Sequence, residues 1–217
     1  VGAPPSLKTP QGLVPLGRQP LSSSQVRSLV LNAVPEKQRE RFQEEHEANF
    51  ALSLESAGRF RVSAFQQRNE PAMVVRRIAQ TIPTLSALGV PSQLATLANA
   101  KRGLVLVVGG TGTGKSTTLA AMIQERNASV GGHIITIEDP IEYLHPHQRG
   151  IVNQREVGVD TESFEVALKN TLRQAPDVIL IGEVRTRETM EHALTFAETG
   201  HLCLATLHAN NANLALE

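Results

Sequence analysis

The sequence is poor in aromatic residues: it contains no tryptophan, one tyrosine and six phenylalanines among 217 residues. Proteins that hold single-stranded nucleic acids commonly stack the bases on aromatic side chains interleaved with basic ones, and no such interleaving occurs here. Lysine and arginine total 21, as do aspartate and glutamate, so the formal net charge is zero and no overall field attracts a polyanion. We therefore expect no nucleic-acid partner, and the same features argue against a RecA-like DNA motor.

Cysteine and long apolar segments are also scarce. The one cysteine, Cys203, cannot form an internal disulfide and lies in the apolar run HLCLATL, so we expect a buried, unreactive thiol in a reducing compartment. No apolar run reaches the roughly 20 residues that cross a bilayer, and no secretory leader opens the chain. We expect a cytoplasmic protein whose membrane contact is peripheral. Because the chain begins at Val1 and stops at Glu217 within a segment bearing leucine and alanine, we also expect a fragment cut at both ends.

The first 98 residues predict a small α+β domain and a linker. Turn-forming residues open the chain, two helix-like segments follow at 20–34 and 35–47, and three strand-like segments extend to residue 79. In the second of these strands apolar residues alternate with arginine and serine, so one face is apolar and the other carries guanidinium groups. Residues 81–103 carry two prolines and two glycines among short apolar segments, which is typical of a linker with a helix or two. We place the domain boundary near residue 98.

The remainder, 99–217, predicts a three-layer α/β domain. Buried-type apolar runs occur at 104–108, 133–139, 177–183 and 201–209, and they do not alternate with polar residues. Parallel strands covered on both faces have this character. Helix-length amphipathic segments lie between most of them, as crossover connections require. The segment HPHQRGIVNQREVGVD, residues 145–160, fits neither pattern, and we expect an inserted loop or hairpin there.

A phosphate-binding motif joins the first apolar run to the helix-like segment after it. Residues 109–116, GGTGTGKS, match G-x-x-x-x-G-K-[ST], a pattern that chance alone produces in on the order of one in a hundred chains of this length. Backbone N–H groups of such a loop converge on phosphates, the lysine reaches the β/γ-phosphates and the following hydroxyl is a Mg²⁺ ligand. The sequence therefore predicts ATP and Mg²⁺ binding by Gly109, Gly110, Thr111, Gly112, Thr113, Gly114, Lys115, Ser116 and Thr117.

Acidic residues end two of the other apolar runs. Glu138 and Asp139 close the second run, with Glu142 shortly after, and Glu183 closes the third. Ligands of open α/β sheets bind beyond the carboxyl ends of the strands, where such carboxylates could hold Mg²⁺ and orient water. Carboxylates at strand ends are also found as plain caps or solvated loop residues. Two such ends in a chain with a phosphate loop favour catalysis.

Two histidines flank the last apolar run, and several arginines lie in the first domain. His201 and His208 could sense a phosphate, although a hydrogen-bonded structural role is at least as common for either. Arg61 and Arg76 lie in strand-like segments where arginine is frequent. A solvated strand face is the plain interpretation, and contact with a phosphate held elsewhere is the alternative.

Four motifs in one order give a family resemblance: GGTGTGKST, IITIEDPIEY, VILIGEVRTRET and TGHLCLATLHANNA. Together they resemble the Walker A motif, Asp box, Walker B motif and His box of the secretion ATPase superfamily, which includes type II secretion and type IV pilus motors. The first domain, with GRFRVSAFQQRN and TIPTLSALG, resembles the PAS-like N-terminal domain of the twitching-motility retraction ATPases. Residues 166–213 resemble the accessory members of that group.

The resemblance implies a RecA-like P-loop ATPase domain and a role for each matched residue. Glu183 would hold the Mg²⁺-linked water and promote its attack, and Glu138, Asp139 and His208 would complete the catalytic set. Arg61 and Arg76 would reach the nucleotide of a neighbouring subunit.

At the level of the whole protein, the resemblance implies an ATP-hydrolysing motor for type IV pilus retraction. The motor would be a homo-hexameric ring acting on a platform protein of the inner membrane, and it could assemble with a paralogous retraction ATPase. The alternative is a nucleotide-binding accessory subunit with slight hydrolysis that assists such a partner. The helical C-terminal domain of the family has no counterpart in this sequence.

Overall fold

The computed structural model describes residues 2–79 and 81–209 of the chain. The chain divides into two units, Val1–Arg77 and Ile78–Glu217. The division lies before the boundary that we expected near residue 98. The reason is packing: Leu85 and Ala98, in the segment taken as a linker, are 8% and 0% exposed and belong to the core of the second unit.

The first unit combines two helices with a three-stranded antiparallel sheet of order β3-β4-β5, beside a separate two-stranded hairpin. Its elements are β1 (Ser6–Thr9), β2 (Gly12–Pro15), α1 (Ser23–Ala33), α2 (Glu36–Glu45), β3 (Glu47–Leu54), β4 (Gly58–Gln67) and β5 (Glu70–Arg77). The helix α1 begins with a capping box, because the Ser22 side chain accepts from the Gln25 backbone and the Gln25 side chain accepts from the Ser22 backbone. The predicted α+β composition is therefore present. The hairpin of β1 and β2 occupies the segment for which only turns were predicted.

The core of this unit lies between its helices and one face of its sheet. Val62 and Ala64 on β4 are buried there, as the alternation of that strand predicts. They pack with Phe42 of α2 and Phe50 of β3. Arginines of β4 lie on the opposite face of the strand, because successive side chains point to opposite sides.

The second unit alternates strands with helices. Its elements are α3 (Gln93–Ala98), β6 (Gly103–Val108), α4 (Lys115–Ser129), β7 (Gly132–Glu138), β8 (Gly150–Glu156), α5 (Phe164–Thr171), a 3₁₀ turn (Leu172–Gln174), β9 (Val178–Val184), α6 (Arg187–Glu198) and β10 (Leu202–Leu207). The five strands form one sheet of order β6-β10-β9-β7-β8, and every neighbouring pair is parallel. The predicted α/β fold with a parallel sheet is confirmed.

The expectation of an inserted loop or hairpin at 145–160 was wrong. Residues Gly150–Glu156 form β8, which pairs in parallel with β7 at one edge of the sheet that the described residues form. An edge strand has one neighbour and more solvent, so its side chains can be polar where inner strands are apolar. The greater solvent access is seen at Ile151, whose side chain is 58% exposed.

Helices cover both faces of the parallel sheet. On one face Ala98 of α3 and Met122 and Ile123 of α4 pack against strand residues such as Ile134 and Leu180. On the other face α5 and α6 contribute the side chains Ala167, Leu168, Ala193 and Phe196 to a second core. Burial of each aliphatic side chain stabilises the folded state by roughly 1.5–3 kcal/mol. The inner strands contribute side chains to a core on each face, which explains why their apolar runs are continuous.

Cys203 lies in the core of the second unit with no solvent exposure, as expected from its apolar run. Burial raises the pKa of its thiol to about 12. Because the thiolate is the reactive form, Cys203 is unreactive near neutral pH. Among the described residues, no helix has the length and apolar character needed to cross a bilayer.

Candidate functional site

The parallel arrangement brings the chemically active residues to one edge of the sheet. The carboxyl ends of parallel strands meet at the same edge. There β6 leads into the loop that starts at Gly109, and β10 leads to His208. Glu183 lies near the end of β9, and Glu138 is the last residue of β7. The order β6-β10-β9-β7 therefore sets the loop, the histidine and the carboxylates side by side.

Glycines shape the phosphate-binding loop between β6 and α4. Gly112 and Gly114 have φ angles of 78° and 93°, in the left-handed region that favours glycine. A Cβ atom on Gly109 would lie 2.7 Å from the Thr113 Oγ1 atom, so the loop closes tightly only with glycine there. Thr113 Oγ1 and Lys115 Nζ each donate to the Gly110 carbonyl over 2.8 Å. The lysine is 8% exposed and is thus held over its own loop.

The first turn of α4 offers unpaired donors to an anion. The first backbone hydrogen bond of the helix runs from the Thr118 N–H to the Gly114 carbonyl, 2.8 Å. The N–H groups of the three preceding residues, Lys115 to Thr117, have no intrahelical acceptor, as at every helix start. These donors, the positive end of the helix dipole and the Lys115 ammonium favour a phosphate at this point.

Glu183 is held by two cationic or polar partners. His208 Nε2 lies 3.0 Å from Glu183 Oε1, and Arg185 donates to Glu183 Oε2 over 2.6 Å. The same guanidinium lies 3.6 Å from Asp139 Oδ2. Three predicted site residues, Glu183, His208 and Asp139, are therefore brought together, with Arg185 joining the two carboxylates. Sequence reasoning missed Arg185, although its place two residues after Glu183 is a usable signal.

Glu138 has different surroundings from its neighbour Asp139. Its Oε1 atom accepts from Thr136 Oγ1 at 2.7 Å and from Gln154 Nε2 at 3.1 Å. Burial raises the pKa of Glu138, the nearby Glu156 carboxylate adds to the rise, and the hydrogen bonds that Glu138 accepts oppose it. The structure thus turns Glu138 toward β8 and Asp139 toward Arg185. Sequence reasoning did not identify Gln154, because that residue lies in the segment taken as a loop.

The site offers oxygen donors of the kind that Mg²⁺ accepts. Among residues 2–79 and 81–209, no group of three or more histidine, cysteine, aspartate or glutamate side chains could hold a metal ion. Mg²⁺ usually keeps several waters and binds one or two protein ligands together with substrate phosphates. The exposed Ser116 hydroxyl, in the first turn of α4, and the Glu183 carboxylate fit that pattern in kind.

The two candidate arginines lie in the first unit, on neighbouring strands. Arg61 of β4 and Arg76 of β5 are directly paired in the antiparallel register, which puts their side chains on one face of the sheet. Arg76 is exposed and Arg61 is partly so. His201 has a structural environment: its Nδ1 atom lies 3.1 Å from Thr199 Oγ1 and 3.2 Å from the Phe196 carbonyl at the end of α6. Residues 210–212, which complete the fourth sequence motif, lie outside the described part of the chain.

Fold and sequence together define the class: residues 27–217 match the family of type II/IV secretion system proteins, and the chain belongs to that family. Within it, the chain is similar to the type IV pilus ATPase PilU of Pseudomonas aeruginosa, with 66% identity over 216 residues that make up 100% of this chain and 56% of the relative. It is 44% identical to the type IV pilus retractation ATPase PilT of the same organism, over 97% of this chain and 61% of that protein. The chain thus spans little more than half the length of these curated relatives.

Solved structures agree with this assignment. A crystal structure of the pilus retraction motor PilT with bound ADP matches 97% of this chain and 62% of its own, with a TM-score of 0.93 and 44% identity. The ATPase DotB of Legionella pneumophila matches 99% of this chain and 62% of its own, with a TM-score of 0.82 and 26% identity. The chain is therefore a PilU-like relative of the PilT-type ATPases. Neither comparison bears separately on the PAS-like character expected for the first unit.

Proposed function

We propose that the chain is part of an ATP-hydrolysing motor that powers type IV pilus retraction from a hexameric ring. The single observation that carries the proposal is the edge of the parallel sheet, where a glycine-shaped loop with Lys115 and the linked carboxylates Glu183 and Asp139 occur together. Similarity to PilU and PilT supports the same activity. The PilT neighbour binds ADP, which supports a nucleotide as the ligand of the loop.

Each residue at this edge has a separate role in the transfer of a phosphoryl group to water. Lys115 exchanges its bond to the Gly110 carbonyl for the β/γ-phosphates of ATP, and the N–H groups of the first turn of α4 bind phosphate oxygens. Ser116 and Glu183 are the residues that would hold Mg²⁺, which neutralises charge developing on the phosphates. Glu183 also orients the attacking water. His208, 3.0 Å from Glu183, and Asp139, through Arg185, fix the position of that carboxylate.

Arg61 and Arg76 act, in this proposal, on the nucleotide of a neighbouring subunit. Their pairing across β4 and β5 presents two guanidinium groups on one sheet face. Guanidinium groups match the charge that spreads over a transferred phosphoryl group, and in other NTPases such a group is often supplied by a second chain.

The proposed motor works in the cytoplasm, at the inner membrane, against a platform protein of the pilus machine. It forms a homo-hexamer or a mixed assembly with a PilT-like paralogue, and it has no nucleic-acid substrate. The alternative is an accessory subunit with slight hydrolysis, and the resemblance of residues 166–213 to the accessory members of the retraction ATPases supports it.

Steady-state release of phosphate from ATP separates the two functions. The motor hypothesis expects turnover on the order of that of ordinary enzymes, which Lys115→Ala abolishes together with nucleotide binding. Glu183→Gln should keep ATP binding and lose turnover, because the amide keeps the shape of the side chain without its charge. Binding without measurable turnover in the unmodified protein would favour the accessory role, and unchanged turnover in Lys115→Ala would refute the loop assignment.

A further inference from the structure

The one tyrosine of the chain lies beside the phosphate-binding loop and has no role in the proposed chemistry. Tyr143 follows the acidic pair at the end of β7, in the segment that leads to β8. Its hydroxyl lies 3.0 Å from Thr117 Oγ1, in the first turn of α4, and both side chains are partly buried. A side chain from the acidic segment therefore touches the third residue of the helix that begins at Lys115.

The backbone of Tyr143 is fixed from two sides. Gln154 of β8 donates through Nε2 to the Tyr143 carbonyl at 2.8 Å, and its Oε1 atom accepts from the His145 N–H at 2.8 Å. Ala79 forms a parallel β-bridge with Tyr143. The backbone from which the phenol extends is thus fixed by the sheet edge, and the phenol itself contacts Thr117.

Gln154 also connects this arrangement with the acidic pair. The same Nε2 group that donates to Tyr143 donates to Glu138 Oε1 at 3.1 Å. An amide nitrogen carries two hydrogens, so both bonds can form at once. Gln154 therefore joins Glu138 to the backbone of Tyr143, and the hydroxyl of the same tyrosine contacts Thr117.

We propose that Tyr143 is a positioning residue for nucleotide binding, acting through the Thr117 hydroxyl. A threonine hydroxyl has one hydrogen to donate. When Tyr143 donates to Thr117 Oγ1, the threonine hydrogen remains available for a phosphate oxygen, and Tyr143 fixes the direction in which it points. The inference rests on the proposed function, since it needs a phosphate-bearing ligand in the loop. Its chemical requirement is a nucleotide phosphate, and ADP suffices.

Affinity for Mg²⁺–ADP, measured by calorimetry, tests the proposal without a need for turnover. Tyr143→Phe removes one hydroxyl and should weaken binding by roughly 3- to 10-fold, the range of one net hydrogen bond. Thr117→Val should weaken binding at least as much, and the double variant should bind no more weakly than Thr117→Val alone. Thr118→Val is the matched control, because Thr118 is the next residue of α4 and its hydroxyl has no hydrogen bond to any described residue; its affinity should stay unchanged.

A plain structural role for the bond predicts other results. Tyr143→Phe would then lower the melting temperature and leave the affinity for ADP unchanged, which overturns the proposal. Additive losses in the double variant also overturn it, because the two hydroxyls would then act separately. If the unmodified protein binds no nucleotide, both the proposed function and this inference are wrong. If it binds ADP and Tyr143→Phe binds equally well, only the inference fails.

The composition supplies an independent spectroscopic measurement. The 217 residues of this chain contain one tyrosine and no tryptophan, so the tyrosine emission of this polypeptide comes from Tyr143. Mg²⁺–ADP should change this emission in the unmodified protein, after correction for absorbance by the nucleotide, and the change should be lost in Thr117→Val at saturating ADP. The same emission change in Thr117→Val as in the unmodified protein would overturn the link between the two residues.

Discussion

At the scale of the residue, two acidic side chains that are adjacent in sequence have different contacts. Glu138 and Asp139 follow each other at the end of β7, yet Glu138 faces Thr136 and Gln154 while Asp139 lies near Arg185. Alternation of side chains at a strand end separates them. Two carboxylates that are adjacent in sequence therefore have different hydrogen-bond and ion-pair partners.

The first pH-dependent prediction concerns Glu138, whose pKa burial raises. A carboxyl with a raised pKa in the folded state favours folding when protonated, and this contribution is lost as the pH rises through that pKa. Glu138→Gln should therefore be more stable than the unmodified protein at neutral pH, and the difference should shrink on acidification. Urea unfolding at several pH values measures it, with Glu191→Gln on α6 as the exposed control. A difference that does not vary with pH would contradict the prediction.

The second concerns His145, whose pKa burial lowers to about 4. Its Nδ1 atom is buried and has no hydrogen-bond partner among the described residues, so the charged ring is poorly accommodated. A lowered pKa gives stability that is present above the ordinary value of 6.5 and lost as the pH falls toward 4. The loss amounts to about 3 kcal/mol at most. His145→Gln should lack this part of the acid sensitivity, as unfolding free energies between pH 7 and pH 4 would show, whereas His192→Gln should retain it.

At the scale of the element, close approach of strands decides which residues the site tolerates. Gly182 precedes Glu183 on β9, and a Cβ atom there would lie 3.1 Å from Glu138 Cα and 3.2 Å from the Ile137 carbonyl on β7. Both distances are shorter than an ordinary carbon contact. The glycine thus permits β7 and β9 to bring their acidic ends together.

Gly182→Ala should separate these two strand ends. We expect a loss of roughly 1–3 kcal/mol in unfolding free energy, as for other overpacked positions, and a fall in phosphate release from ATP. Gly17→Ala is the control, because a Cβ atom on Gly17 meets nothing within 4 Å. Denaturant unfolding and the phosphate assay measure the two effects. Native stability with native turnover in Gly182→Ala would show that the strand ends do not need this approach.

Elements buried on both sides could be predicted from the sequence, and exposed ones less well. The strands β6, β7, β9 and β10 were predicted because most of their residues are apolar, as in parallel strands that helices cover on both faces. The edge strand β8 was missed because Asn153, Gln154 and Arg155 are polar. Prolines and glycines in 81–103 suggested a linker, but Leu85 and Ala98 join the core of the second unit. The number of turn-forming residues in a segment does not show which of its apolar side chains pack into a core.

The site could be predicted as a set of residues and not as a set of contacts. The motif and the position of carboxylates at strand ends identified Lys115, Glu183 and Asp139. The contact between His208 and Glu183 depends on β10 lying next to β9, and the sheet order comes from long-range pairing that no local pattern encodes. Arg185, Gln154 and Tyr143 were missed for the same reason. The roles of the site residues stay predictions.

At the scale of the whole molecule, the proposed action of Arg61 and Arg76 across a subunit boundary can be tested by mixing. Arg61→Ala or Arg76→Ala should bind ATP almost normally and turn it over roughly 10³- to 10⁵-fold more slowly, as for arginines supplied in trans elsewhere. Either variant mixed with Lys115→Ala should regain part of its activity, because some interfaces then pair an intact loop with intact arginines. Phosphate release against mixing ratio is the measurement.

Exchange of subunits has to be demonstrated separately, for example by energy transfer between labelled chains. In proven mixed assemblies, an absence of recovery at every ratio would refute the action in trans. The two arginines would then have no contact with a nucleotide and would lie on a solvated face of the sheet.

The order of strands in the parallel sheet also affects folding of the chain during its synthesis on the ribosome. Among the described strands, β6 leads into the phosphate-binding loop and lies at one end of the sheet, where it pairs with β10 and Leu202 is opposite Gly103. About 100 residues separate these partners, so at typical synthesis rates β6 waits roughly 5–20 s for its hydrogen bonds. During that interval an apolar strand is without its neighbour, and we expect α4, which follows it directly, to cover one of its faces. The loop that follows β6 therefore cannot be anchored to this part of the sheet before β10 has been synthesised.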